Sequence, residues 1–170
     1  MGEVRNRKGG KGGGEGCIVI DFGILKVWVG AVECGGLSRD EVASATRNLE
    51  SPETIIIGLN SMNERTACRV AQSLVYTIED YSIGNARARR PSLEALLYVV
   101  SARQIRDALK LLGEGATILL VASTSADSCI STVDRLVAST TGCSRIRVHS
   151  VECRTEDLEK MVEIHLDITK

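Results

Sequence analysis

SLEALLYVVSARQIRDALKLLG, residues 92–113, carries two short helical patterns in succession, and its reading decides the fold. In its second half Ile105, Ala108, Leu109 and Leu112 fall at i, i+3, i+4 and i+7 and so line one helix face. Gly113, able to adopt positive φ, is the expected stop. In the first half, Ser92 is placed to cap a helix opening at Leu93, with Pro91 just outside and Glu94 near the positive end of the dipole. Leu93, Leu96, Leu97 and Val100 form its apolar stripe. Six basic residues stand between Asn85 and Gly113 (Arg87, Arg89, Arg90, Arg103, Arg106, Lys110) against Glu94 and Asp107, a local charge of +4 in a chain of net −1.

Outward from this stretch, strands and helices interleave. Residues 18–21 and 25–32 read as two strands with Gly23 at a hairpin turn. SRDE, residues 38–41, is a capping box that opens a helix to about residue 48. TIIIGL at 54–59 is a β-branched run suited to a buried strand. A second SxxE box at 61–64 precedes Ala67, Val70, Ala71, Leu74, Val75 and Ile78, the strongest amphipathic pattern in the chain. TILLVA at 117–122 predicts another buried strand, and 127–141 a helix with Ile130, Val133, Leu136 and Val137 inward. Residues 146–151 read as a strand, and Thr155 caps a last helix bearing Leu158, Met161, Val162 and Leu166. No repeat is present, so the expectation is an α/β or α+β fold, a mixed β-sheet with helices packed on it.

A chain of 170 residues suits one domain. Residues 1–16 hold seven glycines plus Arg5, Arg7, Lys8 and Lys11 and are expected to be a disordered basic tail, followed by a single domain over 17–170. GGKGGGEG is not a phosphate loop, because Gly12 follows Lys11 where a hydroxyl residue should hold magnesium. No apolar run approaches the roughly 20 residues that span a bilayer, and the glycine-rich start lacks a signal-peptide core; the expectation is a cytoplasmic protein without membrane contact. The six cysteines form no CxxC pair and are read as buried or partly buried free thiols. Cys143, His149 and Cys153 lie close together but lack a fourth metal ligand.

HExxH, GxSxG and GxGxxG are all absent, and the two histidines have little to work with. His165 sits on the inner stripe of the last helix as a packing residue, and His149 has no local carboxylate. The expectation is therefore a binding protein with no catalysis of its own and no cofactor. Arg87, Arg89 and Arg90 share one loop, and Arg103, Arg106 and Lys110 share a helix face by their spacing; both suit phosphate contacts. Asn60 and Arg65, at the entrance of the capped helix, join them if the fold brings that end near. The same arginines also suit a solvated face with partners such as Asp107, and the net charge of −1 argues for a local patch over a generic nucleic-acid binder.

The order of a β-branched strand (Ile55, Ile56, Ile57), a capped helix, a basic loop, Ser92-x-Glu94-x-Leu96-Leu97, then Gln104-Ile105-x-x-Ala108-Leu109-Lys110-x-Leu112-Gly113 and a strand resembles the kinase-binding accessory subunit of the KEOPS complex, the TPRKB-like family. The likeness spans roughly residues 18–166, is most specific over 104–113, and does not extend to the glycine-rich arm. It implies a non-catalytic subunit of the machinery that installs threonylcarbamoyladenosine beside the tRNA anticodon. Such a subunit docks on a small kinase-like ATPase and grips the single-stranded CCA end of tRNA, with no role for DNA. On that resemblance Arg87, Arg89, Arg90, Arg103 and Arg106 are the phosphate contacts. The outer face of the 64–78 helix or the last helix is the docking surface, over about 1,600 Å². With only five aromatic residues, base stacking must fall to guanidinium planes, apolar side chains or backbone. A protein-interaction adaptor without RNA contact and a small enzyme with an unrecognised site are the alternatives.

Overall fold

The computed structural model describes residues 16–111, 115–148 and 151–168. One antiparallel sheet has the order β1-β2-β4-β3, from β1 (Cys17–Asp21), β2 (Lys26–Ser38), β3 (Thr54–Leu59) and β4 (Gly115–Ser123), and β5 (Ser144–Ile146) pairs with β2 as well. β1 faces residues 26–30 of β2 and β5 faces residues 31–33, so the two short strands follow one another along a single edge. Every pairing among the described residues is antiparallel, which places the molecule on the α+β side of the expected class, without the parallel pair of a mixed sheet. The described residues are built around this one sheet. The 1–16 tail lies outside the described residues, apart from Gly16.

Alternation along the strands builds two cores. Ile55, Ile57, Leu120, Ala122, Val27 and Val29 face α2 (Thr66–Ile83), α3 (Pro91–Val99) and α4 (Ile105–Leu111). Ile56, Leu119, Val121 and Val32 face α1 (Arg39–Thr46) and α5 (Ala126–Ser139). Successive strand residues point to opposite faces, so the continuous apolar runs of TIIIGL and TILLVA serve both layers at once. The last helix, α6 (Thr155–Ile168), forms an outer layer over α2 and α3, where Met161 and Ile164 meet Tyr76 and Tyr98. At Gly30 a Cβ would lie 2.8 Å from Val133 and 2.9 Å from the Cys17 sulfur, so only glycine lets α5 approach β2 this closely.

The cysteines overturn the free-thiol expectation. Cys17–Cys129, Cys34–Cys143 and Cys68–Cys153 are disulfides, and no described cysteine is left free. The partners lie 85 to 112 residues apart and meet only through the tertiary fold, so local spacing holds no trace of the pairing. Cys143 and Cys153 are thereby removed as metal ligands, and His149 lies outside the described residues.

Several boundaries also differ. β2 runs on to Ser38 because a register shift between Glu33 and Leu37, with Gly36 at φ 83°, absorbs the Gly-Gly pair as an irregularity within the strand. The first capping box forms as expected: the Glu41 N–H donates to Ser38 and the Ser38 N–H to the Glu41 carboxylate. The second does not; α2 starts at Thr66 with Arg65 as an N-cap that supplies no side-chain bond, and Asn63 turns inward on Arg65 and Thr66 instead. Nor does Ser92 cap α3, because Pro91 already occupies the first turn and the Ser92 hydroxyl accepts the Ile56 N–H at 3.0 Å. Of the strand expected at 146–151 only Ile146 belongs to β5, which begins at Ser144; residues 149 and 150 lie outside the described residues, and the Glu152 N–H is taken by the Glu64 carbonyl. On α6, Asp157, Met161, Ile164 and His165 are buried, while Val162 and Leu166 face out. No described helix is long and apolar enough to cross a membrane.

Candidate nucleic-acid interface

The free edge of β3 is where the sheet remains unfinished. Because the Ile56 N–H points away from β4 to Ser92, antiparallel alternation turns the main-chain groups of Ile56 and Gly58 outward together. They form one wall of a recess of about 340 Å³ whose other walls are α1, α3 and α4, through Val42, Ala43, Leu93, Leu96 and Leu109. Arg39 and Arg90 stand among its lining residues. Both are held: an Arg39 Nη2–H donates to the Leu109 carbonyl at 2.8 Å, Arg90 Nε donates to the Glu50 carboxylate at 2.5 Å, and Arg90 Nη2 donates to Thr46 Oγ1 at 2.7 Å. Glu50 also accepts the Ser92 N–H at 3.3 Å, so one carboxylate ties the basic loop to the start of α3.

The basic residues singled out by sequence divide into groups. Arg90 lines the recess, and Arg106 and Lys110 belong to the helix that contributes Leu109 to it. Arg89 is exposed and makes no hydrogen bond or ion pair among the described residues. Arg106 is exposed with only Asp107 at 4.0 Å beside it, and the Lys110 side chain lies outside the described residues. Arg103 pairs with Asp167 of α6 at 2.6 Å. Asn60 is exposed at the end of β3, its carbonyl accepting the Thr117 hydroxyl at 2.8 Å. Arg65 is spent on a two-pronged bond to Asp157, at 2.8 and 2.5 Å, and lies beside α6 instead of the recess.

Arg87 does not face outward at all. Its Nε donates to Glu94 at 3.2 Å, its guanidinium lies 5.2 Å from the Tyr98 ring centre, and only 19% of its side chain is exposed. Glu94, fully buried, accepts the N–H groups of Arg87 and Ala88 at 2.8 Å each, so the carboxylate folds the loop that displays Arg89 and Arg90. The Tyr81 hydroxyl donates to the Ala88 carbonyl at 2.8 Å from the other side, and burial pushes that phenol up to about 12.

Beneath the loop a second buried carboxyl, Asp80, accepts the Tyr98 hydroxyl at 2.5 Å and lies 3.4 Å from His165 Nδ1. Burial pushes Asp80 up to about 6; hydrogen bonding to Glu94 and that residue's charge add to the rise, while the Tyr98 bond and His165 oppose it. Burial, then the bond to Asp80, raises Tyr98 far above an ordinary phenol. His165 stacks on Tyr76 at 4.6 Å, as a packing residue should. These groups do not line the recess at β3, and they hold α2, α3 and α6 together. No described group of three or more His, Cys, Asp or Glu residues is arranged to hold a metal ion.

Sequence reading missed Arg39, Glu50 and Asp80. Arg39 sits within the capping box and reads as helix start, while Glu50 and Asp80 find their partners across 40 and 18 residues, beyond any local pattern. No known protein family and no curated protein matches this chain.

Proposed function

We propose that this chain is a non-catalytic accessory subunit of a KEOPS-type tRNA threonylcarbamoyladenosine machinery, binding a kinase-like ATPase and the CCA end of tRNA. The observation that supports it most is the recess at the β3 edge. Its apolar walls suit a base plane, the outward Ile56 carbonyl and Gly58 main-chain groups suit base edges, and Arg39 and Arg90 stand with Asp40 in its lining, with Arg89 next to Arg90 in the chain. This answers the scarcity of aromatic residues: a terminal base inserts between Leu93, Leu96 and Val42 instead of stacking on a ring. For the ATPase, α6 is the better candidate, because Val162 and Leu166 remain 40% and 54% exposed on one face, whereas residues 66–78 of α2 are all buried or half-buried, outer face included. The reading places the chain in the cytoplasm, where disulfides are rare except in hyperthermophiles.

Filling the recess tests it. Ala43→Trp, at a half-buried wall position, should weaken binding of tRNA ending in CCA by more than about tenfold without unfolding the protein, and Arg89→Gln should lower the salt slope by about one. Equal affinity of the unaltered protein for tRNA with and without its CCA end would sink the proposal and leave the adaptor reading.

A further inference from the structure

We infer that a second recess, between the start of α2, the end of α3 and the first turns of α6, is a binding site for a phosphate dianion. It is a polar space of about 320 Å³ lined by Asn63, Arg65, Arg69, Ser101, Asp157 and Lys160, with Val100 at its edge. Three cations face one carboxylate there, an excess of two positive charges. Asp157 is fully engaged by the two-pronged Arg65 bond, and that bond, with Arg69 and Lys160 nearby, holds its carboxyl below the usual range. Arg69 and Lys160 act on Asp157 from a distance, and neither makes an ion pair among the described residues. Arg69 donates through Nη2 to the Val99 carbonyl, and its buried Nε has no acceptor. Lys160 is exposed and makes no hydrogen bond or ion pair among the described residues.

Two further features favour an oxyanion over any other filler. The N-terminus of α2 opens beside the recess; Asn63 accepts the Arg65 and Thr66 N–H groups, and the positive end of this 18-residue helix favours negative charge there. Ser101, the one described non-glycine residue with positive φ, 55°, sits in the turn that ends α3, where the Ala102 N–H reaches back to the Leu97 carbonyl, and it stands among the lining residues. Two excess positive charges match a phosphomonoester or inorganic phosphate, doubly charged near neutral pH, better than the single charge of a backbone phosphodiester. The site is separate from the β3 recess, so its failure would leave the tRNA reading untouched.

Titration calorimetry at low salt with inorganic phosphate, methyl phosphate and dimethyl phosphate tests the site on the intact, oxidised protein. Inorganic and methyl phosphate should saturate with a Kd of about 1 mM, and dimethyl phosphate should bind about tenfold more weakly. Lys160→Gln, at an exposed position, should weaken phosphate about tenfold with the melting temperature nearly unchanged. A 5′-phosphorylated trinucleotide compared with its 5′-hydroxyl form separates an RNA terminus from a small phosphomonoester as the source. Three outcomes would overturn the inference: no saturation by about 50 mM phosphate, saturation indifferent to Lys160→Gln, or dimethyl phosphate binding as well as the dianions.

Discussion

Glu94→Gln should be among the most damaging single-atom changes in the molecule. The buried carboxylate accepts two main-chain N–H groups through Oε2 and the Arg87 Nε through Oε1. A glutamine oxygen can keep the two main-chain bonds, but its NH₂ then faces the Arg87 guanidinium, donor against donor, in a site where Arg87 is 19% exposed. Breaking a buried pair from one side costs about 3–5 kcal/mol. The lower end applies, since Arg87 keeps its place over the Tyr98 ring and Asp80 loses a like-charged neighbour. A loss of about 3 kcal/mol in a chain of this size lowers Tm by roughly 6–12 °C. Urea unfolding without reductant measures the loss, and a double-mutant cycle with Arg87→Met isolates the pair, with an expected coupling of about 2 kcal/mol. A loss under about 0.5 kcal/mol, or no coupling, would refute the claim that Glu94 organises the arginine loop.

Other consequences are open to measurement. Replacing Cys68 and Cys153 by alanine should cost about 4 kcal/mol: with the other bridges intact, the shortest covalent path between them runs 34 residues back to Cys34 and 10 on from Cys143, a loop of 44. Non-reducing urea titration should show that loss, and an unchanged midpoint would mean that the bridge does not form. Asp80 sets a pH dependence. Its carboxyl moves from 3.8 to about 6 on folding, so the native state holds that proton more tightly and the stability it lends is lost as pH rises from about 4 through about 6. The size is ~2–3 kcal/mol. Asp80→Asn should flatten that part of the stability profile, and a wild-type slope persisting in the variant would assign it to another group.

Periodicity made the helices and strands legible because each of those patterns is local. TIIIGL became β3 over the residues expected, and Ala67, Val70, Ala71 and Leu74 were buried as the stripe required. Caps were less legible where two partners competed for one hydroxyl. Ser38 has no rival donor to serve, whereas the Ser92 hydroxyl is claimed by the Ile56 N–H at the edge of β3. The inner face of α6 was misjudged for a related reason: Asp157 and His165 are polar but bring Arg65, Asp80 and Tyr98 as partners, and those contacts rotate Val162 and Leu166 outward. At the candidate site, sequence supplied the cations but not their partners. Arg87 and Arg90 look alike on paper, yet a buried carboxylate claims each, and only Arg89 emerges unspent.

The order of the three disulfides has a consequence for integrity under attack. The first cysteine joins the fourth, the second the fifth and the third the sixth, so every bridge spans the whole stretch between Cys68 and Cys129. A protease that cuts the arginine loop at 84–90 therefore yields no dissociated fragments: the halves stay bound at three points, and the nicked product should run as one species until a reductant is added. Cleavage beside the exposed Arg89 is thus one that the molecule survives in one piece.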